Sequence, residues 1–586
     1  MNYNLNKQKE EGKNASTFSS LKMFLALIKE EKKTLWFAFF FIILNAFLSL
    51  FGPYFIAHTI DTYVAAKNYH GIMLNALILL AIYIVAFGAN YLQMILMGGV
   101  GQRMLFSLRN AVFNKLQSLP VDFFHQNKAG DLISRINNDT DKLNIFFSQS
   151  LMQFIGNIIT MLGSAIFLLT LNFPLGLAAL VPAVLIWIFT KSTSPWVKRR
   201  NALNLKSVGA LSGEVQESLD NYKVIVAFNR RDYFRKKFEE ANEDNYKTSV
   251  DAGISNNIYL PVYSFAANIG QLIVLGLGIY LITKGAFTIG LLIGFIAYVN
   301  NFYFPLRHLA GLWANFQVAM AGWDRIRKIL NLENNLTVVE NKVQEENPAY
   351  IEFRDVSFTY PNGKEVLHHI NIKLERGKTY AFVGPTGGGK TTMASLIARL
   401  YDTSKGHVLL EGRDIRSFEA DERTRKIGFI LQEPFLFSGT VRENILYGNE
   451  NLQAYTNGQL AKLIHESGLE TLLGRFEQGL DTQVFTTGDS ISLGQKQLIA
   501  FMRAVLRKPE LIILDEATAN IDTITEKLLS DILLKLPAST TRVVIAHRLN
   551  TIENADEIFF VNSGKVTPAG SLEDAVNMLL HGKRAS

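Results

Sequence analysis

The chain has 586 residues, 59 Lys plus Arg against 52 Asp plus Glu for a formal net charge of +7, and 48% hydrophobic residues. That length is too great for one core and requires at least two domains. The absence of cysteine excludes disulfide frameworks, thiolate metal sites and cysteine nucleophiles. The basic residues lie beside apolar stretches rather than in one tract, which points to an anionic membrane leaflet and away from nucleic acid.

Residues 1–17 open with MNYNLNKQKEEGKN, which lacks the basic-then-apolar order of a cleaved signal and reads as a disordered cytosolic tail. Phe18, Leu21, Leu25 and Ile28 then recur at helical spacing, as in an amphipathic elbow lying in the membrane interface. Six stretches approach the roughly 20 apolar residues a spanning helix needs: 34–57, 72–97, 146–171, 173–191, 259–283 and 289–304. Asn172, Phe173 and Pro174 predict a tight turn between the third and fourth.

Charge sets the orientation. Lys29, Lys32 and Lys33 precede the first span; Arg103, Arg109, Lys115, Lys128 and Arg135 follow the second; Lys198, Arg199 and Arg200 follow the fourth. The loop after the first span carries only Lys67 beside Asp61 and two histidines, so both termini are expected in the cytosol. Segments 101–145 and 192–258 are too polar to span and should extend the helices into the cytosol. Contact turns are expected near 119–126 and 220–228, against the plainer reading of solvated helix. No Lys, Arg, Asp or Glu lies deep in the first, second, third or fifth span, which argues against a proton relay. Asn45, Asn90, Gln93, Asn157, Asn268, Gln271 and Asn300 read as interhelical hydrogen-bonding groups before substrate ligands. The 41 Phe and 20 Tyr could line an adaptable cavity or face lipid, so the cargo stays open.

After Arg325 the text turns polar, giving a membrane domain over 18–326, a linker over 327–349 and a second domain over 350–586. Residues 351–360 read as a strand, and Tyr360 is placed to stack on a purine base. A strand at 379–384 feeds GPTGGGKTT, the P-loop pattern of Gly, four residues, then Gly-Lys-Thr. Gly384, Pro385, Thr386, Gly387, Gly388 and Gly389 form a loop whose backbone N–H groups, proline's excepted, wrap phosphate; Lys390 adds a fixed charge, and Thr391 and Thr392 open the helix. A nucleoside triphosphate is therefore an expected ligand. The Thr391 hydroxyl, the Gln432 amide and the Asp515 carboxylate, the last through water, are the expected contacts of its Mg2+. Asp515 ends the apolar strand LIILD; Glu516 follows and is placed to take a proton from the attacking water. His547 ends another apolar run, VVIAH, and reads as a γ-phosphate sensor or, more plainly, a structural histidine.

These motifs together resemble a half-transporter of the ATP-binding-cassette exporter family (type IV fold), a helical membrane domain of six spans followed by an α/β P-loop nucleotide-binding domain. The resemblance covers nearly the whole chain after the tail. It matches Tyr360 to the aromatic loop, 384–392 to the Walker A motif and Gln432 to the Q-loop. It matches 491–495 to the signature, 511–515 to the Walker B motif, Glu516 to the catalytic base, Asp522 to the D-loop and His547 to the switch. It implies a bacterial cell membrane protein whose two ATP-binding domains close head to tail, each ATP lying between one Walker A motif and the partner's signature. Membrane lipid and a hydrophobic drug- or lipid-like cargo are the implied partners, with no nucleic acid.

Departures from the family pattern cluster. The usual LSGGQ reads ISLGQ here: Ser492, Gly494 and Gln495 survive, while Leu493 replaces a glycine that permits close approach to the opposing γ-phosphate. The preceding TQVFTTGDS and the D-loop ANID also differ from the usual text. Residues that act on the chain's own ATP are intact, and those that reach the partner's are altered. The pattern favours a heterodimer over a homodimer. The expected function is an exporter of amphipathic compounds. The alternatives are an importer of a chelated metal on the same fold and an ATP-gated channel or regulatory subunit, the latter disfavoured by the intact Glu516 and His547.

Overall fold

The computed structural model describes residues 3–5, 31–333, 336, 338–341, 349–361, 363–485, 491–515, 523–545 and 554–581. The chain divides into two compact units, one of Lys9–Gln117 and Ala129–Asn331, the other of Met1–Gln8, Ser118–Lys128 and Leu332–Ser586.

The first unit holds six helices long and apolar enough to cross a membrane: Lys32–Val64, Tyr69–Gln117, Ala129–Leu171, Phe173–Asp220, Arg231–Thr283 and Ile289–Leu330. Each contains one of the six apolar stretches. Hydrocarbon offers no water to backbone N–H and C=O groups, so a span must satisfy them internally as helix. The 49-residue second helix is about 70 Å long, over twice a bilayer's ~30 Å core, so polar sequence continues the helix well beyond the membrane. Asn172 separates the third and fourth spans, with extended backbone and a side chain that accepts from the Leu175 amide at 3.1 Å. Pro174 follows in the first turn, where no helical N–H is lost. Polar atoms inside the bundle find carbonyls across helix pairs: Tyr298 donates to Leu50 at 2.7 Å and Tyr303 to Ala179 at 2.8 Å. At the far ends, Asp61 accepts from the Thr288 hydroxyl at 2.5 Å and the Gly290 amide at 2.8 Å, tying the first helix to the sixth.

The second unit is built on two sheets. Strands β1 (Ile351–Thr359), β2 (Glu365–Leu374), β4 (Lys405–Leu410) and β5 (Arg413–Asp414) form an antiparallel sheet in the order β2-β1-β4-β5. Between β2 and β4 in sequence, β3 (Thr379–Val383) joins the larger sheet. Its other strands are β6 (Ile427–Ile430), β9 (Leu511–Asp515), β10 (Thr541–Ile545), β11 (Glu557–Asn562) and β12 (Lys565–Pro568). A two-residue pair, β7 (Gly439–Thr440) and β8 (Gln483–Val484), stands apart from both. The large sheet runs β12-β11-β3-β10-β9-β6, parallel except for β12. Runs such as LIILD are buried at every position, as expected of strands covered on both faces.

Two sequence expectations differ from what is found. Tyr3 and Leu5, assigned to a disordered tail, are 0% and 1% exposed. The Tyr3 and Leu5 amides donate to the side-chain oxygens of Gln126 and Asn127 at 3.0 and 3.1 Å, and the Tyr3 hydroxyl donates to the Glu333 carbonyl at 3.0 Å. Two amide side chains thus satisfy backbone that polar composition alone suggested would remain in water. The linker also starts later than expected, because the sixth membrane helix continues to Leu330. The segment at 119–126 forms a short helix, Val121–Gln126, within the second unit, and that at 220–228 forms Tyr222–Ala227 in the first. The expected elbow at Phe18, Leu21, Leu25 and Ile28 lies outside the described residues.

Candidate nucleotide-binding site

Strand β3 delivers the chain into the P-loop at the carboxyl edge of the parallel sheet, where crevices of such folds lie. Gly384 has φ of 150°, and a Cβ there would lie 2.0 Å from the Val561 carbonyl oxygen. A Cβ at Gly388 would lie 2.5 Å from the same oxygen. Both positions therefore need glycine, because β11 runs hard against the loop. Pro385, Thr386 and Gly387 form its exposed crown, while Gly388, Gly389 and Lys390 are buried. Gly389 caps the helix Lys390–Ile397, whose free N–H groups and dipole favour an anion.

Lys390 is 4% exposed, and its Nζ donates to the Gly384 and Pro385 carbonyls at 2.8 and 3.1 Å. The ammonium is thus parked inside the loop whose phosphate it would meet. Thr391 Oγ1 donates to Asp515 Oδ1 at 3.0 Å, which joins the end of β9 to the P-loop helix across β10. A hydroxyl and a carboxylate this close suit a hard divalent cation. Thr392 is buried and lies 3.1 Å from the Tyr360 hydroxyl.

The Tyr360 ring packs edge-on to Phe358 and Tyr401, with centroids 4.8 and 5.5 Å away. Tyr401 was not singled out in the sequence, and only the fold reveals its position. It stands 6.5 Å from the His125 ring on the short helix Val121–Gln126, so one aromatic lies between that helix and Tyr360. Burial, then the nearby Tyr360 and Asp122, push the Tyr401 phenol up to about 12, so it stays a neutral hydrogen-bonding group. Burial likewise lifts the Asp122 carboxyl above its ordinary range, against the pull of His125. No local sequence signal could have found a contact made across 276 positions.

Gln432 is exposed two residues beyond β6, and its backbone carbonyl accepts from the buried Gln497 at 3.4 Å. Ser492 caps the helix Leu493–Val505 through a reciprocal box. The Gln495 amide donates to Ser492 Oγ at 3.1 Å, and the Ser492 amide donates to Gln495 Oε1 at 2.9 Å. The Gln495 side chain also donates to the Arg475 carbonyl at 3.0 Å. Gly494 lies in the first turn and Leu493 is the first helical residue, 36% exposed. Glu516, Asp522 and His547 lie outside the described residues.

A P-loop on this sheet, with a capped helix at Leu493–Val505 and six spanning helices earlier in the chain, has a counterpart among known proteins. The family model described as ABC transporter transmembrane region matches residues 35–306, and that described as ABC transporter matches 367–519. An uncharacterized ABC transporter ATP-binding protein of Bacillus subtilis, YfiC, is 33% identical over 574 residues, covering 97% of this chain and 94% of its own length.

The chain belongs to the ABC transporter family.

It is a half-transporter of the exporter type, an integral membrane protein whose second unit binds ATP and couples its hydrolysis to transport. Other relatives of this half-transporter carry more specific names. A fatty acid ABC transporter ATP-binding/permease protein of Mycobacterium bovis is 31% identical, covering 84% of this chain and 77% of its own length. A multidrug resistance ABC transporter ATP-binding and permease protein of Lactococcus lactis is 29% identical, covering 95% and 94%.

Proposed function

We propose that this half-transporter exports hydrophobic or amphipathic compounds across a bacterial cell membrane by alternating access, as one half of a heterodimer. Both termini would lie in the cytosol. The observation that carries the reading is the contrast between a fully formed P-loop and a signature helix opened by leucine. Relatives named for fatty acid and multidrug transport support the cargo class.

Each residue has an assigned part in the mechanism. Tyr360 stacks on adenine, and the backbone N–H groups of the 384–389 loop, proline's excepted, hold the phosphates with Lys390. Thr391, Gln432 and Asp515 would hold Mg2+, Asp515 through water; the ion supplies neutralisation of phosphate charge when bound. Glu516 follows Asp515 directly in the sequence, and its carboxylate would accept a proton from the attacking water. His547 follows the last residue of β10, Ile545, by two positions in the sequence and would sense the γ-phosphate. Ser492, Gly494, Gln495 and Asp522 serve the ATP bound by the partner chain.

Magnesium-dependent ATPase activity of the chain purified alone, with its oligomeric mass, tests this reading. A monomer or an inactive dimer is the expected result, with activity appearing when a second half-transporter is added. A dimer of this chain alone with robust turnover, abolished by Glu516→Gln, would overturn the heterodimer.

A further inference from the structure

Among the described residues, only Gln271 and Asn300 of the seven intramembrane amides bond to each other, at 2.5 Å. These two do not close off a packed interface. With Asn157, Asn268, Asn301 and Arg307 they line a cavity of about 360 Å³ between the third, fifth and sixth membrane helices. None of the twelve residues lining it is acidic.

Depth follows from the helical rise. Asn300 lies 11 residues below the start of the sixth helix at Ile289 and Arg307 lies 18 below, or about 17 and 27 Å. The amides therefore sit near the middle of the hydrocarbon and the guanidinium near its edge. A long basic side chain at such an edge commonly reaches for the head-group region. Arg307 is held instead: its Nη1 donates to Ser264 on the fifth helix at 3.3 Å, and its guanidinium lies 4.9 Å from the Phe304 ring centre. Of the five N–H donors on a guanidinium, the other four have no protein partner among the described residues, and Arg307 forms no ion pair there. A half-buried cation without a counter-ion in a low-dielectric cavity attracts negative charge and repels positive. Amides at the other end add donors and acceptors but no charge.

We infer that this cavity is a cargo subsite selective for amphiphiles with an anionic head group, a carboxylate or a phosphate, held by Arg307 with the amides lining the path above it. The volume suits a head group and the first carbons of a chain rather than a whole lipid, leaving an acyl tail to run along the apolar helices. This inference rests on the export of amphipathic compounds proposed above and narrows its cargo.

The test uses the full-length protein, with its partner chain where the oligomer requires one, in nanodiscs of zwitterionic lipid at mildly alkaline pH. Binding is measured for oleic acid, oleyl phosphate, oleyl alcohol and oleylamine, each corrected against empty nanodiscs. The expected result is that the two anions bind about tenfold or more tightly than the alcohol or the amine. Arg307→Gln removes that preference and Arg307→Lys keeps most of it. The head-group series on the unmodified protein stands whether or not the variants fold. Equal binding of all four, or preference for the amine, overturns the anionic subsite while leaving amphiphile export standing. Binding of none above empty nanodiscs overturns the proposed cargo class and this inference with it.

Discussion

Two helix starts in the ATP-binding unit, the P-loop's and that of the proposed signature, differ in why they would need glycine. At the P-loop the need lies inside the fold: Gly384 and Gly388 are pressed against the Val561 carbonyl, and Gly384 has a φ of 150°. At the signature the fold itself makes no such demand. Leu493 takes the first helical position, partly exposed, behind a complete capping box. A side chain there costs nothing until a second nucleotide has to approach. The comparison teaches that the P-loop glycines are constrained by folding as well as binding, whereas the fold leaves position 493 open and, in the proposed mechanism, only docking constrains it. One chain can therefore keep those glycines and lack one at 493.

Substitutions can break this comparison, and the largest effect falls on chemistry. Glu516→Gln should lower ATP turnover of the competent complex about a hundredfold or more while ATP still binds, because an amide cannot accept the water's proton. Turnover near normal would remove Glu516 from the mechanism. Lys390→Ala should weaken ATP binding about 10- to 100-fold, the loss of charge-assisted hydrogen bonds, and equilibrium nucleotide binding reads it directly. Gly384→Ala should both abolish ATP binding and destabilise the ATP-binding unit by about 1–3 kcal/mol, seen as an earlier thermal transition without nucleotide. An unchanged transition would contradict the packing argument.

Leu493→Gly sharpens the other side. It should leave the nucleotide-free transition lowered by no more than the ~1 kcal/mol that glycine costs a helix. It should raise turnover severalfold wherever this signature faces a hydrolysing site, and leave turnover unchanged if the partner's site is already silent. The smallest effect is expected at Tyr401→Ala. Its ring lies between His125 and Tyr360, so ATP turnover should survive while its stimulation by cargo falls. Loss of both together would make Tyr401 a plain core residue.

Much of the candidate site was legible because its residues lie in short runs with a local physical logic. The 384–392 loop, Asp515 at a strand end and Ser492 with Gln495 at a helix start each state their geometry within a few positions. Asn172 and Pro174 did the same for the turn between spans. The linker boundary was less legible, because the polar text after Arg325 is also good surface helix and the sixth helix runs on to Leu330.

Sequence by itself determined the six spans, the P-loop and the altered signature text, since apolar length, glycine spacing and a missing glycine are local properties of the text. Tertiary structure alone decided the rest. It seated Tyr3 and Leu5 against Gln126 and Asn127, set Tyr401 between the contact helix and Tyr360, and gathered Asn157, Asn268, Gln271, Asn300, Asn301 and Arg307 around one cavity. Those groupings join residues from dozens to hundreds of positions apart. A side chain's partners at that separation depend on helix rotation and packing, which no stretch of sequence carries on its own.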